Sequence, residues 1–129
     1  MDAQATVGSF VRAIVEQRFD DARRLLHEEF VVHEAGGLPY SGEYRSPQGF
    51  FDLFEKMNET MELTPDPAIQ YLHADDTVVM RYRLRFTARA SGDSIEMSLV
   101  EIYTVRDGLV LELDVYYKDP SAVAALLAE

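Results

Sequence analysis

Two hydrophobic periods divide the chain. Over its first half apolar side chains recur every three to four positions, and beyond Pro67 they alternate every second position. Val7, Phe10, Val11, Ile14 and Val15 follow the i, i+3, i+4, i+7 spacing that predicts an amphipathic helix over residues 3–18. Asp20 is the expected N-cap of a short second helix, over 21–28, that buries Ala22, Leu25 and Leu26. The β-branched run 30–34 reads as a strand. It is followed by a loop, 35–42, in which Gly36, Gly37, Pro39 and Gly42 let backbone approach a ligand. Ser46-Pro47 opens a third helix whose apolar face is Phe50, Phe51, Leu53, Phe54, Met57 and Met61.

Alternation then predicts strands over 68–73, 77–90, 95–105 and 109–117, separated by turns at 74–76, Ser91-Gly92-Asp93 and Asp107-Gly108. Asp119-Pro120 caps a C-terminal helix over 121–128. Three helices followed by an antiparallel meander make an α+β chain, expected to be one domain over 1–129. The long strands curl into a cone around the helices. The inner face of the 95–105 strand reads Ile95, Met97, Leu99, Glu101, Tyr103, Val105, so a carboxylate points into an apolar interior. An ionised, unpaired carboxylate there costs several kcal/mol. Glu101 is therefore expected to be neutral, bonded to a tyrosine or arginine, or lining a cavity that holds water or ligand.

Composition narrows the options. The chain has no cysteine, which removes disulfides, thiolate metal sites and cysteine nucleophiles and fits a cytoplasmic location. A net charge of -11 opposes binding to nucleic acid or anionic membranes. Arg81, Arg83, Arg85 and Arg89 are expected on the outer sheet face, opposite the apolar set Val78, Met80, Tyr82, Leu84 and Phe86. No leader or membrane-spanning run is apparent. His27 and His73 lack metal-ligand spacing, and neither a phosphate loop nor a nucleophile elbow is present, so no metal and no cofactor are expected.

Several local motifs carry a resemblance. Glu28-Glu29-Phe30-Val31-Val32-His33, Gly37 to Pro39, Gly42-Glu43-Tyr44, Asp107 to Glu112 and Tyr116-Tyr117-Lys118-Asp119 resemble the nuclear transport factor 2-like superfamily, in its SnoaL-like and ketosteroid isomerase-like branch. The resemblance spans nearly the whole chain. It implies a cone-shaped, curved antiparallel or mixed sheet around three N-terminal helices, as in cystatin-like folds, with a short C-terminal helix.

By the same resemblance Glu34 takes the position of the catalytic base, with His33 as the alternative, and Glu101 lies at or beside the position of a neutral acid. Phe10 stands where the isomerases carry a tyrosine, which counts against steroid isomerisation; Tyr82, Tyr103 or Tyr117 could supply a phenol instead. Asp114 and Asp119 match a cyclase acid only by rough position, and Asp119 is explained as a cap. The expected cavity lining is Phe10, Ile14, Phe54, Met57, Met80, Tyr82, Met97, Leu99, Tyr103, Leu113, Val115 and Tyr117, with the 36–42 loop and the third helix at the open end.

Two functions follow as expectations. One is a cofactor-independent general acid/base enzyme, an isomerase, cyclase or dehydratase acting on a small hydrophobic carbonyl compound. The other is a non-catalytic carrier or assembly module for a hydrophobic metabolite. A homodimer is expected through the outer sheet face, where Arg81, Arg83 and Arg85 would meet Glu112 and Asp114 around Val100 and Ile102.

Overall fold

A computed structural model describes residues 1–129. Helix α1, Ala3–Val15, begins where the Asp2 carboxylate accepts the Ala5 N–H at 2.8 Å. It stops three residues short of the predicted Arg18. Gln17 adopts φ 60° while the Arg18 N–H bonds the Ala13 carbonyl and the Gln17 N–H bonds the Ile14 carbonyl, a closure that ends a helix regardless of the apolar period.

Helix α2, Phe19–Arg24, starts before Asp20 and has no side-chain cap, so the expected Asp20 cap is not formed. Asp20 and Asp21 instead lie in its first turn, and Asp21 bridges Arg18 and Arg24 at 2.8 Å each. The helix is short because Leu26 already pairs with Val110, drawing residues 26–29 into strand β1, Leu26–Glu34.

The segment after β1 contains a strand that the glycine-rich pattern concealed. β2, Gly42–Arg45, runs antiparallel to β1, with Glu34 opposite Gly42 and Val32 opposite Tyr44. Helix α3, Ser46–Thr60, follows directly, and the Ser46 hydroxyl accepts the Gly49 N–H at 3.4 Å. Gly49 cannot be replaced cheaply, because a Cβ there would sit 2.8 Å from the Tyr44 carbonyl carbon. Met61, expected on the helix, instead opens β3, Met61–Pro65, where it pairs with Ala88.

The remaining elements follow the alternation closely: β4 Gln70–Ala74, β5 Thr77–Ala88, β6 Ser94–Arg106, β7 Leu109–Tyr117 and α4 Pro120–Leu127. Asp107 and Gly108 both take positive φ, the geometry of a tight hairpin turn. The sheet order is β2-β1-β7-β6-β5-β3, with β4 also paired to β5. β1 and β7 run parallel and all other pairs antiparallel, so the sheet is mixed. Its concave face and the helices share one core of 28 buried residues. On β5, Val78, Met80, Leu84 and Phe86 are buried there, while Arg81, Arg83 and Arg85 are exposed on the convex face. No helix is long and apolar enough to cross a membrane.

Candidate functional site

The concave face does not pack solid against the helices. Between it and α1 and α3 lies a cavity of ≈ 1110 Å³, lined mainly by apolar side chains. From the sheet two carboxyl groups enter it, Glu34 from β1 and Glu101 from β6. Strand register explains why. Leu113 and Asp114 of β7 pair with Val32 and His33, so one further step sets Val115 beside Glu34, and Val115 itself pairs with Glu101. Both acids thus lie in one cross-strand row with a single strand between them, about 10 Å apart at the backbone.

Glu101 is not a free acid. The Tyr82 hydroxyl donates to its Oε2 at 2.7 Å and the Tyr103 hydroxyl to its Oε1 at 2.6 Å. Burial raises its pKa above the ordinary carboxyl range, and the two phenols pull it part of the way back. The same burial and the adjacent carboxylate push both phenols well above their usual value. Glu34 is freer: its Oε1 accepts the Ala35 N–H at 2.9 Å. Desolvation and the charge of Glu101 outweigh the Ala35 N–H and a hydrogen bond from Tyr117, and its pKa is pushed up to about 7. Tyr117 also shares a 2.8 Å hydrogen bond with Tyr40, whose ring is buried at that end of the chamber.

His33, the alternative base, lies on the other side of β1 and does not line the cavity. Its Nδ1 is 2.8 Å from Glu43 and its Nε2 2.9 Å from Glu112, both on the convex face. Period 2 forces this: adjacent strand residues cannot share a face. Met97, expected in the cavity lining, is buried on the concave side but lies outside the cavity wall. Phe10, Ile14, Phe54, Met57, Met80, Tyr82, Leu99, Tyr103, Leu113, Val115 and Tyr117 all line it as expected. Phe10 makes edge contacts with Phe50 at 5.2 Å and Tyr103 at 6.4 Å, so the helix contributes apolar wall where a hydroxyl is absent. Asp114 is not among the lining residues, and Asp119 caps α4 by accepting the Ala122 N–H at 3.2 Å.

The mouth is also placed differently. The 36–42 loop does not line the cavity; Leu38 and Tyr40 are buried, and the loop is pinned by the Ser41 hydroxyl accepting the Leu38 N–H. The exposed lining residues Arg12, Val15, Glu16, Gln17 and Phe19 instead cluster after the middle of α1, facing Glu55 of α3 and the Asp66-Pro67 segment. Ile69 and Tyr71 line it as well; they alternate within the predicted 68–73 strand, and that alternation could have identified them. No group of three or more His, Cys, Asp or Glu side chains is placed to hold a metal ion.

A fold and a cavity of this kind invite comparison with known proteins, and the SnoaL-like domain profile matches residues 7–113. The chain belongs to the SnoaL-like domain family. No curated protein matches it. Among solved structures, this SnoaL-like chain is similar to an NTF2-like protein of Burkholderia thailandensis E264, at 21% identity and TM-score 0.89, covering 98% of both chains. It is also similar to TerC co-crystallised with polyporic acid, at 14% identity and TM-score 0.82, again over 98% of each chain. A provisionally assigned polyketide cyclase of Pseudomonas putida KT2440 gives 15% identity and TM-score 0.81 over 98% of each. At these identities the likeness establishes the NTF2-like, cystatin-like fold. The SnoaL-like chain thus combines this fold with a largely apolar cavity that two buried carboxyl groups of the sheet enter.

Proposed function

We propose that this SnoaL-like protein is a cofactor-independent general acid/base enzyme acting on a small hydrophobic carbonyl compound, with Glu34 as the base. The observation that carries this reading is Glu34 itself: a carboxyl group facing an apolar chamber, its pKa pushed up to about 7. A base poised there combines a usable ionised fraction at neutral pH with far more driving force for proton abstraction than an ordinary carboxylate.

The Tyr82–Glu101–Tyr103 cluster supplies the complementary role through its proton count. When Glu101 is ionised, both phenol protons are spent on its oxygens. When it is neutral, as burial favours, three protons serve the cluster and one O–H is free to point at a ligand oxygen. Glu34 would remove a proton α to the carbonyl, and the free O–H would stabilise the enolate oxygen that forms. The chemistry that follows enolisation, isomerisation, cyclisation or dehydration, is set by the substrate. The neighbouring structures, one holding polyporic acid and one provisionally assigned as a polyketide cyclase, favour an aromatic or polyketide-like carbonyl compound.

The engagement of both Glu101 oxygens favours a second reading, a carrier whose acid only shapes the pocket. Deuterium exchange separates the two whatever the final product is. Steroid enones, polyketide-like diketones and terpenoid ketones that raise the melting temperature are incubated in D2O and followed by mass spectrometry. The enzyme reading expects exchange at the α-carbon that falls about 10²- to 10⁴-fold in Glu34→Gln while binding persists. Bound ketones that exchange no faster than in buffer would leave the carrier.

A further inference from the structure

Arg12 is the only lysine or arginine lining the cavity. It lies on the α1 face formed by Gly8, Val11, Arg12 and Val15, the spacing that turns one helix stripe toward the opening, and it is exposed there. Seven of the chain's arginines sit in ion pairs within the molecule, and Arg12 is not among them. Of the carboxylates at the same mouth, two are otherwise engaged, and the third, Glu55 of α3, makes no ion pair with Arg12. Glu16, one helical turn on, is bonded by Arg18 at 2.8 Å, and Asp66 accepts the Ala68 N–H at 2.8 Å. A guanidinium with its five donors unspent is thus held at the rim of an apolar chamber.

Its position relative to the acids can be read from Tyr71. This half-buried phenol lines the same cavity and feels both charges, the Glu101 carboxylate raising its pKa and the Arg12 guanidinium lowering it, on top of the larger upward push from burial. Arg12 and Glu101 therefore both lie within electrostatic range of one side chain of the cavity wall. Val15 and Phe19, 57% and 39% exposed, continue the apolar wall out to the rim beside Arg12. An apolar body inside and a charged group at the mouth is the shape this lining accommodates.

We propose that Arg12 is the anion-recognition residue of the cavity, and that the ligand is an amphipathic organic anion whose apolar body fills the chamber while its acidic group remains at the mouth. The inference deepens the small-molecule reading above and rests on it. In a chain of net charge -11 the general field repels anions, so recognition of one has to be local. Placing the anion at the mouth also keeps it away from Glu34 and Glu101, whose surroundings already disfavour negative charge.

Two fluorescent probes test this, 8-anilino-1-naphthalenesulfonate and N-phenyl-1-naphthylamine, which share a ring system and differ in the sulfonate. Arg12→Gln is expected to weaken the anionic probe about tenfold in low salt, with a smaller loss at high ionic strength, and to leave the neutral probe unchanged. Retained binding of the neutral probe also shows that the variant is folded. Equal losses for both probes would mean that Arg12 only packs the rim, and no change for either would mean that it recognises nothing; each result overturns the inference while the cavity reading stands. If neither probe enters the wild-type protein, the cavity reading fails and the inference falls with it.

Discussion

Glu34 and His33 are neighbours in sequence on one strand, and both have raised pKa values, for opposite physical reasons. Glu34 faces the cavity, where desolvation penalises its anion. His33 faces outward between Glu112, Glu43 and Asp114, whose negative charges favour its cation; the hydrogen bond to Glu112 is the largest effect and burial works against it. The concave side of the sheet thus suppresses charge and the convex side pairs it. Arg83 and Arg85 there bond Glu96 at 2.8 and 3.4 Å, across the neighbouring strand and in water. The same acidic residue type has its charge disfavoured by burial on one face and is an ion-paired surface group on the other.

The comparison breaks most severely if the inner acid loses its donors. Tyr82→Phe with Tyr103→Phe leaves Glu101 in place with neither phenol, and each lost partner of a buried polar group costs about 1 to 3 kcal/mol. The double variant is expected to lose roughly 3 kcal/mol by urea unfolding. A loss below about 0.5 kcal/mol would mean that cavity water replaces the phenols and that the inner face is not a low-dielectric environment.

Much of this contrast was legible in the chain. Glu101 was identifiable because alternation over 95–105 is long and apolar, so a single acid in register has only one direction to point. The faces of His33 and Glu34 were not separable from a five-residue run, because the true strand starts at Leu26, and its first pairing, to Val110, is 84 positions away. β2 and β3 were missed for the same reason. Gly42–Arg45 and Met61–Pro65 are strands because β1 and β5 offer them edges, and nothing in their own composition demands it. Tyr40 stayed hidden because its meeting with Tyr117 depends on how the 35–42 loop closes, a tertiary event without a local period. The mouth was misplaced because glycine content marks backbone freedom, whereas α1 ends early through the Gln17 turn and opens the cavity beside it.

A pH series sharpens the comparison at intermediate cost. Glu34 has a folded pKa of about 7 against an unfolded value of 4.5, so the folded state binds the extra proton between them and stability is lost as pH rises through that window. Replacing it by Gln removes the penalty: Glu34→Gln should match the wild type near pH 4 and exceed it at pH 8, by at most roughly 3 kcal/mol. His33 also has a raised folded pKa, so its contribution is present below 6.5 and is lost as pH climbs through the folded value. His33→Gln should therefore be the weaker variant at pH 5, by about 0.5 to 1 kcal/mol for a partly exposed pair, and converge with the wild type at pH 9. Thermal unfolding of the three proteins between pH 4 and 9 reads both signs. If Glu34→Gln were destabilised at pH 8, the carboxylate would be stabilised in the cavity and could not be a poised base.

The smallest effect belongs to Arg83→Ala. Its guanidinium is half exposed, and its pairing with Glu96 takes place in water, where screening and side-chain entropy leave little net stabilisation. In dilute protein at physiological salt the unfolding midpoint is expected not to move. The expected homodimer predicts a different response in concentrated samples. Tyr116, 54% exposed, lies on the convex face near Val100, and covering this face with a second copy would bury both together with Arg83. The wild-type midpoint would then rise with protein concentration, and Arg83→Ala would lower it only where dimer is populated. A midpoint independent of concentration from sub-micromolar to hundreds of micromolar, with light scattering that gives the mass of one chain, would remove the dimer and leave the outer face a solvated surface. A drop of several degrees in the dilute variant would instead show that the convex ion pairs carry stability of their own, and the division between the two faces would lose its outer half.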